Sequence, residues 1–173
     1  GWASGELLRI DATTGAATVI TKLEPPLDNL AIASDDSIYI SLPAKGAIVK
    51  VDPASGTQTE VVPGNLGVPG GLAIGMHAGR ETLVIADDFG FRHVDLQTGE
   101  VFATIDLAEF MDPAAASDGA MNDDVIVLSD VTRSHVYMID RHSNETIHKW
   151  KRVGTPYGFM QPCHPSICGR IRK

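Results

Sequence analysis

The chain has 173 residues, of which 43% are hydrophobic, and its formal net charge is −8. This length suits one ordinary domain with an apolar core, and no apolar run is long enough to cross a membrane as a helix. The acidic balance argues against nucleic acid and against an anionic membrane surface as partners. We expect a soluble protein, either cytoplasmic or exported after removal of a signal peptide.

The first predicted element is a β-hairpin, in which alternating runs at 6–11 and 16–22 flank the turn Asp11-Ala12-Thr13-Thr14-Gly15. The same turn pattern returns at 52–56, 95–99 and 140–144, with a period of about 43 residues. The Asp carboxylate can accept from backbone N–H groups further on, and the final Gly takes a positive φ. The last copy has Asn144 in place of Gly, and Asn tolerates the same backbone conformation. These Asp residues are therefore interpreted as structural rather than catalytic.

Further short strands are predicted between these turns, and each unit contains four. The strands lie at 30–33, 37–40, 46–52 and 57–62, then at 71–74, 82–86, 90–95 and 101–105, and finally at 119–121, 125–128, 135–140 and 146–149. Four short strands in each period of this length are typical of a β-propeller blade. The one helical pattern is a single turn at 107–111, which we expect in a loop between blades. The predicted fold class is all-β, a β-propeller of four-stranded antiparallel blades.

The two ends of the chain predict two parts of one blade. Residues 1–23 form a half blade, because Gly5 aligns with Gly46 at the start of a third strand. Three full blades and a first strand then bring the propeller segment to 1–161. The chain therefore holds about four blade equivalents.

The remaining residues, 162–173, are a C-terminal tail. Ser166-Ile167-Cys168 aligns with Ser37-Ile38-Tyr39, so the tail can supply a second strand that completes the first blade. Joining both termini within one blade would remove exposed sheet edges. The alternative is a truncated propeller with an unrelated tail.

Four blade equivalents can close a ring in three ways. One chain could form a four-bladed ring, two chains could exchange ends in an eight-bladed ring, or the chain could be a piece of a longer propeller. Small residues on the first strands suit a wider ring; they are Ala31, Gly70, Gly71, Ala73 and Gly119. The two-chain ring is therefore favoured, and the expected oligomer is a homodimer.

Candidate functional residues lie at the start of each first strand, where strands line the central channel of a propeller. They are Asp28, Asn29, Gly70, Asp118 and Tyr157. Asp28, Asn29 and Asp118 offer the oxygen ligands that Ca²⁺ or another divalent cation prefers. The alternative is that Asp28 and Asp118 begin turns or bind loop backbone. The cofactor expectation is thus a divalent cation or none.

A second polar set ends the second strands and is expected to brace the following loops. It comprises Ser41, Asp87, Asp88 and Asp130. The histidines fit no metal motif, and His93 and His148 lie in strand patterns as ordinary face residues. Cys163 and Cys168 could bind a metal or close a small loop, but a lone C-x4-C pair is a poor zinc signal.

The stretch 27–40, Leu-Asp-Asn-Leu-Ala-Ile-Ala-Ser-Asp-Asp-Ser-Ile-Tyr-Ile, resembles a phrase common in one propeller superfamily. That phrase, "NGLAxSPDGxxLYV", is found in SMP-30/gluconolactonase-like, strictosidine-synthase-like and NHL-repeat proteins. Residues 69–74 and 117–121 are further variants, and the resemblance covers most of residues 5–160. It implies a β-propeller fold.

For the SMP-30-like lactonases the resemblance also implies one metal held by a Glu, two Asn and an Asp on first strands. Asp118 matches the Asp of the phrase, and Asn29 or Asp28 falls near the first Asn. Gly70 stands where the second Asn is expected, and the Glu has no counterpart in this chain. The implied ligand set is thus half present.

Three functional hypotheses follow. The first is a binding or scaffold propeller that presents a channel or loops to a small molecule or protein. The second is a metal-dependent hydrolase or lactonase of the SMP-30-like type, with its site at the central channel. The third is a truncated propeller without activity.

Overall fold

The computed structural model describes residues 1–62, 66–87, 90–106, 116–121, 124–130, 133–140, 142–143 and 145–154. These residues contain the strands β1 (Glu6–Ile10), β2 (Ala17–Lys22), β3 (Leu30–Ile32), β4 (Ile38–Leu42), β5 (Ala47–Val51), β6 (Gln58–Val62), β7 (Leu72–His77), β8 (Arg80–Asp87), β9 (Gly90–Asp95), β10 (Val101–Asp106), β11 (Ala116–Met121), β12 (Val125–Asp130), β13 (His135–Asp140) and β14 (Thr146–Lys151). A short 3-10 helix, Pro43–Lys45, joins β4 to β5. Within these ranges no helix combines the length and apolarity that a membrane crossing requires. The predicted helical turn at 107–111 lies outside the described residues.

The strands form four antiparallel sheets that follow one another along the chain. Blade 1 contains β1 and β2, blade 2 contains β3–β6, blade 3 contains β7–β10 and blade 4 contains β11–β14. Between blades, β7 contacts both β3 and β11, so the first strands lie side by side. Antiparallel four-stranded blades arranged in this way confirm the predicted all-β propeller fold class.

The apolar core is divided among the seams between neighbouring blades. Alternate residues of each middle strand face opposite neighbours, so these strands are apolar on both faces. Between blades 1 and 2 the core is formed by Leu7, Leu23, Leu27, Ile38, Ile40, Leu42, Val49 and Val51. Between blades 2 and 3 it includes Tyr39, Ile48, Leu72, Ile74, Leu83 and Ile85. Between blades 3 and 4 it is formed by Ala73, Val84, Ala86, Phe91, Leu128, Tyr137 and Ile139.

The repeated turns have the predicted structure. Asp52 Oδ1 accepts from the N–H groups of Ala54 and Ser55, both at 2.8 Å, and the Gly56 N–H donates to the Asp52 carbonyl at 2.8 Å. The Asp11 and Asp95 turns repeat this pattern, and the three final glycines have φ between 72° and 74°. In the fourth turn Asp140 makes the same two acceptor bonds, and Asn144 lies outside the described residues.

The hairpin between β7 and β8 is longer than predicted. The sequence pattern predicts that one strand ends at 74 and the next begins at 82, whereas β7 continues to His77 and β8 begins at Arg80. Ala78 and Gly79 form a two-residue turn with φ values of 49° and 79°. Such turns usually contain Asn-Gly or Asp-Gly, because both residues need positive φ. Ala at the first position removed that signal from the sequence.

Two of the turn glycines provide a matched test of backbone strain. A Cβ added at Gly15 meets nothing within 4 Å, whereas one added at Gly56 would lie 2.6 Å from the Ile20 carbonyl oxygen of blade 1. We expect Gly15→Ala to cost about 1 kcal/mol of unfolding free energy from positive φ alone. Gly56→Ala should cost at least about 1 kcal/mol more, because blade 1 must also shift. Urea unfolding of both variants measures the difference, and equal losses would contradict the packing argument.

The turn carboxylates also predict an acid dependence of stability. Backbone donation from Thr14, Ser55 and Ser143 lowers the pKa of Asp11, Asp52 and Asp140 respectively from the ordinary value of 3.8. A pKa that is lower in the folded state stabilises the fold above the unfolded value, and this stabilisation is lost as pH falls through the folded pKa. We therefore expect the free energy of unfolding to decrease as the pH is lowered below about 4.

Replacing the three turn carboxylates by Asn should flatten this dependence, because Asn still accepts from backbone N–H but does not titrate. The measurement is the urea midpoint at pH 6 and pH 3 for both proteins. A variant that replaces Glu60, Glu100 and Glu145 by Gln removes the same charge elsewhere and is the control. An unchanged difference between the two pH values in the Asn variant would show that other groups set the acid response.

Candidate functional site at the start of the first strands

Two of the predicted site positions are aligned by equivalent backbone hydrogen bonds. The Asp28 N–H donates to the Ser41 carbonyl at 3.1 Å, and the Gly70 N–H donates to the Ala86 carbonyl at 2.9 Å. Asp28 of blade 2 and Gly70 of blade 3 are therefore equivalent. Both lie immediately before a first strand, at the same end of the row of blades.

Asp118 lies at the corresponding end of blade 4. Leu30 pairs with Ile40 in blade 2, and Gly119 pairs with the equivalent residue, Leu128, in blade 4. This register aligns Asp118 with Asn29, one position from the predicted alignment with Asp28 and Gly70. A register shift between Ala116 and Gly119 accompanies the difference. Tyr157 lies outside the described residues.

Ser41 fixes the backbone at this end of blade 2. Its hydroxyl is buried, accepts from the Asn29 N–H at 2.8 Å and donates to the Asn29 carbonyl at 3.3 Å. Asp28 is exposed and Asn29 is half-buried. Ser41 therefore braces the entry to the first strand, whereas the sequence predicted that it braces the loop into the third.

A buried ion pair fixes the equivalent region of blade 3. Asp87, at the end of β8, accepts from the Val68 N–H at 3.0 Å and from Arg92 Nε at 3.1 Å. The Asp87 side chain is fully buried, and that of Arg92 is 27% exposed. One carboxylate thus joins the loop before Gly70 to both central strands of the blade, whereas the sequence predicted that Asp87 braces the loop into the third strand.

Sequence reasoning did not identify Arg92 as part of this end of the molecule. The positions equivalent to Arg92 in blades 2 and 4 are Val49 and Tyr137, which lie within apolar cores. A single cation at a repeat position that is otherwise apolar was the available signal. It became interpretable only when the hairpin register placed Arg92 beside Asp87.

The described side chains contain no cluster of three or more His, Cys, Asp or Glu residues able to hold a metal ion. Asn29 is not one of these four residue types. The predicted cation site, which combines Asn29 with Asp28 and Asp118, therefore stays a prediction. His93 is buried in an aromatic cluster with His77 and Phe102, at ring distances of 5.7 and 6.0 Å. Cys163 and Cys168 lie outside the described residues.

A groove of about 310 Å³ lies at the opposite end of the molecule, between blades 2 and 3. Its charged side chains pair with one another: Lys50 lies 3.4 Å from Asp35, and Arg80 lies 3.6 Å from Asp95. Glu81 crosses the seam and accepts from the backbone and hydroxyl of Ser34 at 2.8 and 3.0 Å. These interactions join the two blades, so the groove is interpreted as a polar seam.

Comparison with known proteins supports the architecture. The described residues form part of a β-propeller. The chain is similar to a selenomethionine-substituted virginiamycin B lyase from Staphylococcus aureus, with a TM-score of 0.62 and 13% identity over 86% of this chain and 49% of the lyase. It is also similar to a streptogramin B lyase, with a TM-score of 0.66 and 12% identity over 90% of this chain and 51% of that one.

A third similar structure is the dihydro-heme d1 dehydrogenase NirN in complex with DHE, with a TM-score of 0.61 and 16% identity. That match covers 87% of this chain and 33% of NirN. This chain thus spans about half or less of the length of the structures it resembles. At these identities the likeness shows the fold alone. No family model and no curated protein matches the sequence, so the SMP-30 family is not confirmed. The similar solved structures support the propeller fold.

The Asp87–Arg92 pair predicts a large loss of stability when one partner is removed. Arg92→Met leaves a buried carboxylate without its cation and should cost about 3 kcal/mol. The double variant Asp87→Asn/Arg92→Met should cost less than the sum of the single variants by at least about 1 kcal/mol, because the two groups interact directly. Urea unfolding of the four proteins gives this coupling.

The control is Lys45→Met, which breaks the exposed Lys45–Glu24 pair at 2.7 Å. It should leave stability nearly unchanged, since exposed ion pairs contribute little. Additive single variants at Asp87 and Arg92 would show that the pair does not brace the blade.

Proposed function

We propose that this chain is a binding or scaffold protein that presents the start of its first strands to a small-molecule or protein ligand. The observation that carries the proposal is the shared end position of Asp28, Asn29, Gly70 and Asp118 on three neighbouring blades. Ser41 and Asp87 brace the backbone at this end. Their bonds hold a fixed platform on which exposed groups such as Asp28 can meet a ligand.

The chemistry of this end favours a cationic ligand. Asp28 and Asp118 are carboxylate residues, Asn29 adds an amide oxygen, and the chain carries a net charge of −8. Oxygen donors of this kind suit Ca²⁺ or another divalent cation. Gly70 adds no side chain at its position, so a ligand could approach the backbone there.

A second candidate is a metal-dependent hydrolase or lactonase that uses the same three residues. A divalent cation held by Asp28, Asn29 and Asp118 would polarise a carbonyl and lower the pKa of a bound water. The placement of these residues at the same end of blades 2 and 4, on either side of blade 3, supports this candidate. The names of the similar lyases show that the fold also carries enzymes, although fold alone does not determine activity.

The proposed assembly is a homodimer. Among the described residues, blade 1 contains two strands and the other three blades contain four each, while the similar lyases are about twice as long as the matched part of this chain. A channel lined on all sides requires further blades. A second copy would supply them and complete the ring.

Calorimetric titration with CaCl₂ tests the cation site. The wild type should bind one cation per chain, and Asp28→Asn/Asp118→Asn should bind at least about tenfold more weakly, because the two charged ligands are lost. Asp11→Asn/Asp52→Asn removes the same charge from turns at the opposite end and should bind as the wild type does. No heat with CaCl₂ or other divalent chlorides would overturn the cation site and the hydrolase with it.

Turnover then separates the two functions. Hydrolysis of a simple lactone that Asp118→Ala abolishes would favour the hydrolase and contradict a pure binding role. Cation binding without turnover would favour the binding protein.

A further inference from the structure

Two equivalent pairs of apolar residues differ sharply in exposure. Leu72 and Ile74 on β7 are 5% and 9% exposed, because they pack against blade 2. Leu30 and Ile32 occupy the same positions on β3, facing blade 1, and are 50% and 58% exposed. Among the described residues, blade 2 therefore lacks on its blade 1 side the cover that blade 3 receives from blade 2.

The missing cover has a defined shape. In blades 2, 3 and 4 the third strand pairs with a second strand on its inner side, and a first strand follows. Among the described residues β1, the third strand of blade 1, pairs with β2 alone. The slot that the described residues leave open is thus bounded by the inner edge of β1 and by Leu30 and Ile32. It fits two antiparallel strands that continue the sheet, since an open edge binds a further strand through its backbone.

We infer that this slot receives residues 159–171 of a second copy of the chain, an inference that rests on the proposed homodimer. Residues 23–29 connect β2 to β3, and the equally long stretch 152–158 would lead from β14 to a strand at 159–161. Residues 166–168 align with 37–39, the start of a second strand. The segment therefore has the length and pattern of the missing pair of strands.

The slot is filled by a second copy because of where the blades lie. Connections of this length join neighbouring blades along the chain, and blades 1 and 4 stand at opposite ends of the row. The matched part of this chain corresponds to 49–51% of the length of the similar lyases, so a second copy would supply a comparable length of chain. In a two-fold pair, blade 4 of each copy adjoins blade 1 of the other, so both slots are filled by the same exchange.

The exchange sets a register that can be tested. Arg9 in β1 is equivalent to Lys50, which pairs with Tyr39 in blade 2. Cys168 aligns with Tyr39, so Arg9 should lie opposite the partner's Cys168. Leu8 is equivalent to Val49, which pairs with Ile40. Its side chain points to the other face of the sheet, and the residue opposite it should be the partner's Gly169.

Disulfide trapping tests this register in the full chain. With Cys163→Ser as background, Arg9→Cys should form a covalent dimer on mild oxidation. Leu8→Cys, the matched control, should give at least about fivefold less covalent dimer, because its side chain lies on the face of the sheet opposite to that of Arg9. The readout is the mass on a non-reducing gel.

Each outcome decides the inference. A covalent dimer that depends on Arg9→Cys supports the exchange. A cross-linked single chain would overturn it in favour of the chain's own C-terminal segment. Equal cross-linking at Leu8 and Arg9, or none at either, would overturn the slot itself.

Light scattering provides an independent arm. The wild type should have twice the mass of one chain, and Leu30→Glu/Ile32→Glu should be monomeric with an unchanged circular dichroism spectrum. Ile147→Glu, at a residue that is 53% exposed on the outer strand β14, should remain dimeric. A dimeric Leu30→Glu/Ile32→Glu variant would overturn the inference. Neither arm requires a ligand, so failure of cation binding would leave this result standing.

Discussion

The structure depends on one constraint: no blade encloses a core of its own. A single four-stranded sheet has two faces, and the middle strands of this chain are apolar on both. Each face is therefore covered only by the neighbouring blade, and burial of apolar surface is the dominant favourable contribution to folding. The seam between blades is the unit of stability. The strand register, the turns and the bracing side chains all keep successive sheets at the separation that closes a seam.

The same constraint separates structural from functional chemistry. Several polar side chains hold two segments of the chain together: Ser34 with Glu81 across a seam, Ser41 against the first strand, and Asp87 between a loop and Arg92. Asp28 lies exposed at the edge of the platform. The division explains why the abundant carboxylates of the sequence make few obvious catalytic groups. Four of them, Asp11, Asp52, Asp95 and Asp140, cap the repeated turns.

The parts of the fold that could be predicted are those encoded locally. In each repeated turn an Asp accepts from the next N–H groups, and in three of them a Gly takes positive φ. Both features lie within five consecutive residues, so the turns could be predicted correctly. The Ala78–Gly79 turn was missed because its first residue is atypical of the conformation it adopts. The Arg92 partner of Asp87 and the position of Asp118 depend on strand register. Closure of the ring depends on angles between blades, which no short stretch of sequence records.

The alternation along β8 has a further consequence for how the protein can change. Leu83 and Ile85 belong to the core shared with blade 2, while Val84 and Ala86 belong to the core shared with blade 4. Residues adjacent in sequence therefore pack against different blades. The effects on stability of substitutions in separate cores are then nearly additive. Compensating changes are then to be sought across a seam rather than along a strand. Over evolutionary time each seam is free to drift by itself, so that blades of one ring can lose all likeness in sequence while they keep a common shape.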